Sequence, residues 1–558
     1  MPAPATIFDR LRAIQTQHGY LPPDQLQSLS KSAGIPLYQI HGVADFYPAF
    51  HLKPPPKVTV AICRDMSCHL RGANTLRSDL DTRFGAMKKK DVSVTTVSCL
   101  GQCDSAPAAS IAASINDHIY RSVSSAQLEA LVLTALAGAA LPDLPVEPRK
   151  TTLAADPYHD TSPYGALRKL IKTRDWDGVL AQMKTAGLNG MGGAGFPTAL
   201  KWEAVRNSPA AEKYVICNAD ESEPGTIKDR FILDHLPHLV IEGMIVAALV
   251  TGARHGIIYI RREYAAQSKI LEQEISRATG EGLLGPNVLA TDLSFEIKIF
   301  ASPGGYICGE ETALLEALEG KRAEPRNKPP FPVTHGLWNQ PTVLNNVETF
   351  ANVSRILTTA SKSASLKFIA VTGDVRRPGV FLIPMGLPLS EVIVNYAGGI
   401  RDGKKLKAFA PSGPSSGFLP ASMADVPLDL KSLAAAGSMQ GSSGIVVCAE
   451  GTCMLDLALN ATTFFRNESC GKCVPCRIGT QEMVDMLTFW TQGKGTAADL
   501  KLIDQLSETL RLTSICGLGQ FAPAPIASVL KHFREEVEAH IVSRRCPEGV
   551  CPMSEVQV

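Results

Sequence analysis

The stretch Glu468 to Thr480, ESCGKCVPCRIGT, sets Cys470, Cys473 and Cys476 at C-x2-C-x2-C spacing. Three thiolates so close in sequence can wrap one corner of a cubane iron-sulfur cluster, and a fourth cysteine from elsewhere must close it. Cys516, in SICGLGQ, is a candidate for that place. A second set pairs Cys63 with Cys68 at C-x4-C and Cys99 with Cys103 at C-x3-C. Four thiolates in two such pairs suit a 2Fe-2S cluster; a structural zinc is the alternative, although zinc ribbons favour C-x2-C pairs. Centres of this kind move single electrons.

Elements must bring these cysteines together. With 558 residues the chain exceeds one hydrophobic core, and several domains are expected. Ile7, Leu11 and Ile14 recur at helical spacing, Pro22 and Pro23 interrupt, and Leu26 with Leu29 resume it. This helical segment is expected over 1–53. In KVTVAIC, the alternation of Val58, Val60 and Ile62 predicts a strand ending at Cys63, and Val92 to Val97 predicts another that delivers Cys99 and Cys103. A proline-bearing linker is expected over 136–163. Beyond it lies GLNGMGGAGFPTALKW, whose Gly190, Gly192 and Gly195 satisfy G-x-G-x-x-G, though the preceding residues Tyr164 to Met183 read as helix where a dinucleotide fingerprint requires a strand. Such glycines permit backbone amides to approach a phosphate or a flavin ring.

Strand and helix patterns then alternate: a strand over Tyr214 to Cys217, a helix over Leu236 to Thr251, a strand over Gly256 to Ile260, a helix over Glu263 to Ala278 and a strand over Phe295 to Phe300. That alternation predicts a layered α/β domain. The loop NADESEPG puts Asn218, Asp220, Glu221 and Glu223 at the C-terminal end of a strand, where open α/β sheets bind ligands; a solvated acidic turn is the alternative. Gly304, Gly305 and Gly309 precede a helix whose first turn carries Glu310 and Glu311, acids that helix electrostatics alone could explain. After Phe368 to Gly373 come further strands and a short helix, and from Gly444 onward the pattern reads as helical.

Composition removes several function classes. A formal charge of +1 offers no bulk attraction to nucleic acid or anionic lipid. The start, MPAPATIFDRLRAIQ, lacks an apolar core and a small-residue cleavage site, so export is not indicated. The most apolar run, Leu239 to Gly252, carries Glu242 and is shorter than a bilayer span. Fourteen cysteines in such a chain read as metal ligands and buried thiols, consistent with a cytoplasmic setting.

GLNGMGGAGFPTALKW, NADESEPGTIKDR, GGYICGEETALLEALEG, NKPPFPVTHGLWNQPTVLNNVET and ESCGKCVPCRIGT occur in an order that resembles the NADH-binding flavoprotein subunit of respiratory complex I and its relatives. The first 135 residues, with GYLPPDQL, HGVADFY and the C-x4-C and C-x3-C pairs, resemble the thioredoxin-like 2Fe-2S subunit that partners it. Joined in one chain, the two look most like the diaphorase (β) subunit of a soluble NAD-dependent formate dehydrogenase. The diaphorase subunit of an NAD-reducing hydrogenase and the complex I flavoprotein are the alternatives, and a zinc-binding scaffold without flavin is the non-enzymatic one.

The resemblance implies a multidomain α/β protein: the helical segment, a thioredoxin-like 2Fe-2S domain over 54–135, an FMN- and NAD(H)-binding α/β domain over 164–360, a β-grasp insert over 361–440 and a helical bundle with a 4Fe-4S cluster over 441–558. It implies that Gly190, Gly192, Lys201, Asn218, Asp220, Tyr306, Gly309, Glu310, Asn345 and Asn346 surround FMN. Phe196, Glu223, Glu311, Lys328 and Phe331 would hold NAD(H), the phenylalanines by stacking on adenine and Glu223 by repelling a 2′-phosphate. One 4Fe-4S cluster would sit on Cys470, Cys473, Cys476 and Cys516, and one 2Fe-2S cluster on Cys63, Cys68, Cys99 and Cys103. Where the family commonly carries arginines, this chain has Asn189 and Met191. Hydride transfer from cofactor to cofactor needs no side-chain acid or base, so no catalytic residue is expected. The chain shows no formate, molybdenum, tungsten or nickel site, which implies a separate catalytic subunit, of the molybdenum or tungsten formate dehydrogenase kind with further clusters. Direct membrane contact is not expected.

Six cysteines remain. Cys448 with Cys453 and Cys546 with Cys551 repeat the C-x4-C spacing without a following C-x3-C, and they read as buried or surface thiols. Cys217 and Cys308 lie inside the flavin motifs and read as small buried hydrophobes.

Overall fold

The computed structural model describes residues 6–85, 91–104, 111–144, 155–359 and 366–553, so the middle of the expected linker, 145–154, lies outside the described residues. The chain divides into two compact units. One gathers Met1–Pro55, Pro148–Glu221 and Lys228–Lys367; the other gathers Pro56–Glu147, Ser222–Ile227 and Phe368–Val558.

In the first unit three short helices, Ile7–His18, Pro23–Ala33 and Leu37–Phe46, open the chain. A capping box between Thr6 and Asp9 starts the first, and Gly19 and Gly34 end the first two in left-handed conformation. Phe8, fully packed, meets Tyr47, Phe50 and Phe300, and Tyr47 Oη donates to the Lys321 carbonyl at 2.5 Å. The N-terminal helices are thereby fixed to the α/β part of their own unit.

Strands β1 (Val58–Cys63), β2 (Val92–Val97), β3 (Ile111–Ile115) and β4 (His118–Val123) form a mixed sheet in the order β2-β1-β3-β4 within the second unit. β1 and β2 run parallel, and β3 pairs antiparallel with β1 and β4. Val58, Val60 and Ile62 point into a core shared with Leu76, Leu80, Leu128 and Val132 of two helices. The alternation read from KVTVAIC is this inward face, and it leaves Cys63 at the strand's end.

The first unit holds a fully parallel sheet, β5 (Tyr214–Ala219), β6 (His255–Ile260), β7 (Glu296–Ala301) and β8 (Thr342–Asn346), ordered β7-β6-β5-β8. A parallel sheet is covered on both faces, which explains the unbroken buried run of Val215, Ile216 and Cys217. The apolar helix Pro237–Thr251 is buried almost throughout, Glu242 included, as a core helix must be. Tyr158 Oη and the Leu167 amide donate to Glu242 at 3.0 Å, and burial pushes its carboxyl up to about 7. Among the described residues no single helix is long and apolar enough to cross a membrane.

A third sheet, again of the second unit, contains β9 (Leu366–Gly373), β10 (Gly379–Pro384), β11 (Leu406–Pro414), β12 (Leu419–Pro420) and β13 (Gly444–Ala449), ordered β10-β9-β13-β11-β12. Here the expectation of helix from Gly444 onward is corrected. GIVVCA is a central strand, parallel to β9 and antiparallel to β11, with all six residues buried. A short continuous apolar run rich in valine and isoleucine suits a buried strand, and periodicity alone does not separate it from buried helix. The helices begin at Met454, with Met454–Glu468, Val474–Thr491 and Ala497–Thr513, and continue to Ile541.

Close packing of helix Pro237–Thr251 on helix Val347–Thr359 depends on Gly243, where a Cβ would stand 2.2 Å from the Phe350 carbonyl oxygen. Neither backbone can yield locally. Gly243→Ala is expected to cost about 2 kcal/mol or more by overpacking; a thermal melt of the purified chain should fall by several degrees, and an unshifted melt would show that the helices part freely.

Candidate nucleotide and cluster sites

The predicted flavin residues gather at the C-terminal edge of the parallel sheet, where the strand ends leave main-chain groups unpaired by the ladder. β5 and β8 lie in register with Asn218 beside Asn346 and Cys217 beside Asn345. Asn218 Nδ2 donates to the Gly309 carbonyl at 2.8 Å, and the Asp220 amide donates to Asn218 Oδ1 at 3.1 Å. Asn345 Oδ1 accepts from Trp202 Nε1 at 2.9 Å. These bonds join four separate chain segments, at Trp202, Asn218, Gly309 and Asn345.

The glycine loop is closed by the Gly190 amide donating to the Phe196 carbonyl at 2.8 Å and by a bridge between Asn189 and Pro197. A Cβ on Gly192 would lie 3.2 Å from Asn346 Cβ, and one on Gly309 would lie 3.1 Å from the Asp220 carbonyl oxygen. Gly304 and Gly305 take φ of +99° and +103°, a turn that side chains resist, and lead into the short helix Tyr306–Gly309. The glycines thus bring the loop backbone close to the strand ends, an approach that backbone binding of a phosphate or a flat ring would use.

Glu310 occupies the N-cap of helix Glu311–Leu318 and accepts from the Thr312 and Ala313 amides at 2.8 and 2.9 Å. One of its oxygens is therefore spent on helix chemistry. Lys328 Nζ donates to Glu310 at 2.9 Å and to Glu311 at 2.6 Å, and Lys201 Nζ donates to the Leu344 carbonyl at 2.9 Å with Glu311 at 3.7 Å. Burial lowers Lys201, partly offset by Glu311; burial raises Glu311, but Lys201 and Lys328 outweigh it and hold the carboxyl below its ordinary value. Phe196 and Phe331, each about half exposed, present bare ring faces. Glu223 belongs to the other unit, where its carboxylate is fixed by the Ser415 amide at 2.9 Å and the Ser415 hydroxyl at 3.0 Å.

Four charged residues near this edge escaped the sequence reading. Lys228 is buried with Asp229 at 2.6 Å and Glu348 at 3.0 Å and donates to Asn346 Oδ1 at 3.2 Å; burial lowers its pKa, but the two carboxylates prevail and raise it. The fourth is Lys367, also buried, whose Nζ reaches the Met191 thioether at 3.4 Å and whose pKa burial lowers. Lys228 and Asp229 stand inside a motif already singled out. Lys367, at the foot of a strand, carries no local signal.

In the second unit both cysteine sets assemble. Cys63, Cys68, Cys99 and Cys103 are all buried, with Cys99 Sγ 3.3 Å from Cys103 Sγ. The closeness of Cys68 and Cys99, together with burial, holds the Cys63 thiol well above its ordinary value, and Cys99 does the same to Cys103. Neutral thiols gain little from such crowding, whereas a shared cation makes them ligands. Cys473 and Cys516 sit at the N-caps of helices Val474–Thr491 and Gly517–Phe521. Burial and the neighbouring Cys473, Cys516 and Cys470 push Cys476 up to about 12, against a lowering bond from Ser469. Gly519 lets the Cys516 turn approach: a Cβ there would be 3.0 Å from Cys476 Cβ. Each donor set is all sulfur, the commonest ligation of 2Fe-2S and 4Fe-4S clusters.

Residues 183–355 match the model of the Nuo51 FMN-binding domain, 456–540 that of the NADH-ubiquinone oxidoreductase-F iron-sulfur binding region, 3–135 that of the thioredoxin-like [2Fe-2S] ferredoxin and 368–419 that of the SLBB domain. The second F subunit of the NADH-quinone oxidoreductase of Rhizobium meliloti (strain 1021) is 44% identical over 399 residues, spanning 70% of this chain and 95% of that protein. The HndC subunit of the NADP-reducing hydrogenase of Solidesulfovibrio fructosivorans is 42% identical, spanning 71% and 82%. A solved structure of NAD+-reducing [NiFe]-hydrogenase in the H2-reduced state superposes with a TM-score of 0.84 at 32% identity, covering 96% of this chain and 94% of that one.

Proposed function

Because the chain belongs to the family of NADH-quinone oxidoreductase F subunits, NADH-oxidising flavoproteins with FMN and iron-sulfur clusters, we propose that it is the diaphorase subunit of a cytoplasmic, NAD-dependent formate dehydrogenase. The observation that carries the reading is the joining of a glycine-lined cradle at the edge of a parallel sheet with two all-sulfur donor sets in one chain. When bound, the flavin supplies the exchange between hydride and single-electron chemistry, and the clusters supply one-electron stations.

The chain's own residues bind and orient. The amides around Gly190, Gly192 and Gly309 line the cradle, with Asn218, Asn345 and Asn346 presenting amide groups at its strand ends. Tyr306 and Asp220 complete it. Lys201, Lys328 and Glu311 form a charged cluster for the dinucleotide, Phe196 and Phe331 offer ring faces to adenine, and Glu223, held rigid by Ser415, disfavours a 2′-phosphate. Cys63, Cys68, Cys99 and Cys103 hold the 2Fe-2S cluster, and Cys470, Cys473, Cys476 and Cys516 hold the 4Fe-4S cluster. Met191 stands where the family commonly carries arginine, and Lys367 reaches the same place from β9. The carboxylates of Glu348 and Asp229 offset its desolvation only in part, so this ammonium gains from a further anionic partner, and the FMN phosphate is such a partner.

A hydrogenase diaphorase is the second reading, favoured by the solved NAD+-reducing hydrogenase that matches nearly the whole chain. Anaerobic co-purification with metal analysis separates them: molybdenum or tungsten in the associated subunit is expected, and nickel would overturn the formate assignment. Cys473→Ala should keep FMN-dependent reduction of ferricyanide by NADH while abolishing electron delivery to the partner; retention of both would remove the 4Fe-4S cluster from the path. Lys367→Met should weaken FMN binding to the deflavinated chain by about tenfold, read from quenching of flavin fluorescence. Equal affinity would show that Lys367 serves packing alone.

A further inference from the structure

We propose that Cys453, His540, Cys546 and Cys551 form a closed zinc site that fastens the C-terminal loop to the start of helix Met454–Glu468. Sequence spacing groups Cys448 with Cys453 and Cys546 with Cys551, whereas the fold sets Cys453 beside His540 and Cys551. Cys448 is buried within β13, while Cys453 at the N-cap of the next helix meets residues from nearly ninety positions downstream. None of the four belongs to either cluster set.

One ligand atom from each of the four residues lies within 4.8 Å of the others. Cys453 Sγ is 3.5 Å from His540 Nε2 and 3.6 Å from Cys551 Sγ. A tetrahedral site with Zn–S of about 2.3 Å and Zn–N of about 2.0 Å has S···S edges of about 3.8 Å and S···N edges of about 3.5 Å. The side chains therefore already stand at ligand spacing. His540 Nδ1 donates to the Glu536 carbonyl at 2.7 Å, one helical turn back, which leaves the Nε2 lone pair facing the thiols. Cys453 Sγ accepts the Asp456 amide at 3.5 Å, and the amides of Glu548, Val550 and Cys551 fold toward Cys546 in the RCPEGVC loop. Such amide bonds to sulfur stabilise thiolates, which is the form a metal binds.

The surroundings support a structural site. Cys453, His540 and Cys546 are buried, and the four protein ligands fill a tetrahedron, leaving no position for a reacting water. Three thiolates with one imidazole select zinc over the oxygen-seeking cations. Binding displaces the three thiol protons to solvent and changes no oxidation state. Lys407 braces the same segments: its Nζ donates to the Thr452 carbonyl at 2.6 Å and pairs with Glu536 at 2.9 Å and Glu548 at 2.8 Å. The Met454 amide donates to Glu536 Oε1 at 2.6 Å. The far end of helix Met454–Glu468 runs directly into the loop of Cys470, Cys473 and Cys476, so the zinc would anchor the element from which those ligands hang.

Zinc and iron per chain, measured by mass spectrometry on the full-length protein purified anaerobically, test the site. One zinc ion is expected in the unaltered chain. Cys551→Ser and His540→Gln should lose most of it while keeping their iron, and Cys448→Ser and Cys103→Ser should keep the zinc. Zinc absent from the unaltered chain, unchanged in Cys551→Ser, or lost in Cys103→Ser would overturn the site, as would a disulfide between Cys453 and Cys551. Should the ligand variants fail to fold, cobalt incorporated into the unaltered chain during growth decides: intense tetrahedral thiolate–cobalt absorption supports the site, and its absence overturns it.

Discussion

Crowded thiols are unfavourable company until a cation joins them. Each sulfur that ionises raises the cost for the next, and burial adds to it, so the Cys63 and Cys103 thiols are held well above their ordinary value by the neighbouring sulfurs and by the core around them. Folding that brings such groups together without a metal gains nothing from the encounter. Binding of a metal centre by either cysteine set of the second unit would therefore couple to its folding, since each set draws on positions distant in sequence. The turn at Gly519 and the strand ends at Cys63 and Val97 are places where cysteines from different segments approach one another.

The first unit solves a different problem, that of receiving an anionic, flat cofactor at a sheet edge. Its backbone amides and asparagines supply neutral dipoles, and buried ammonium groups supply charge. Lys228 shows the balanced arrangement, with two carboxylates offsetting its desolvation. At Lys367 the same carboxylates, Glu348 and Asp229, do not outweigh burial, and its pKa stays below the ordinary value beside the Met191 thioether.

Much of this was legible in the residues. The strands from Val58 and Val92, the parallel β/α alternation and the two cysteine sets each have a local signature of alternation, spacing or turn chemistry, and the structure places them as those signatures require. What was not legible is non-local or ambiguous. GIVVCA reads equally as buried helix or strand until β9 and β11 flank it. Lys367 has no motif around it, because its meaning lies in a loop 176 residues away. His540 lies on an ordinary amphipathic helix and gains chemical sense only once Cys453 is brought beside it. Spacing sees partners along the chain, and these partners are across it.

Neither compact unit is a continuous piece of polypeptide. The first takes Met1–Pro55, lends the chain to the second for Pro56–Glu147, and resumes at Pro148; the six residues Ser222–Ile227 leave it again before Lys228–Lys367 completes it. During synthesis the N-terminal helices must therefore wait for β7 and Lys321, their packing partners, and the thioredoxin-like sheet emerges well before helix Met454–Glu468 and the later helices of its unit. No single cut in the backbone separates the cradle from the sulfur sets as whole bodies. The unit that carries the cradle is complete only when Lys367 has been made, and the unit that carries the cysteine sets draws on both the early segment Pro56–Glu147 and the last segment, Phe368–Val558.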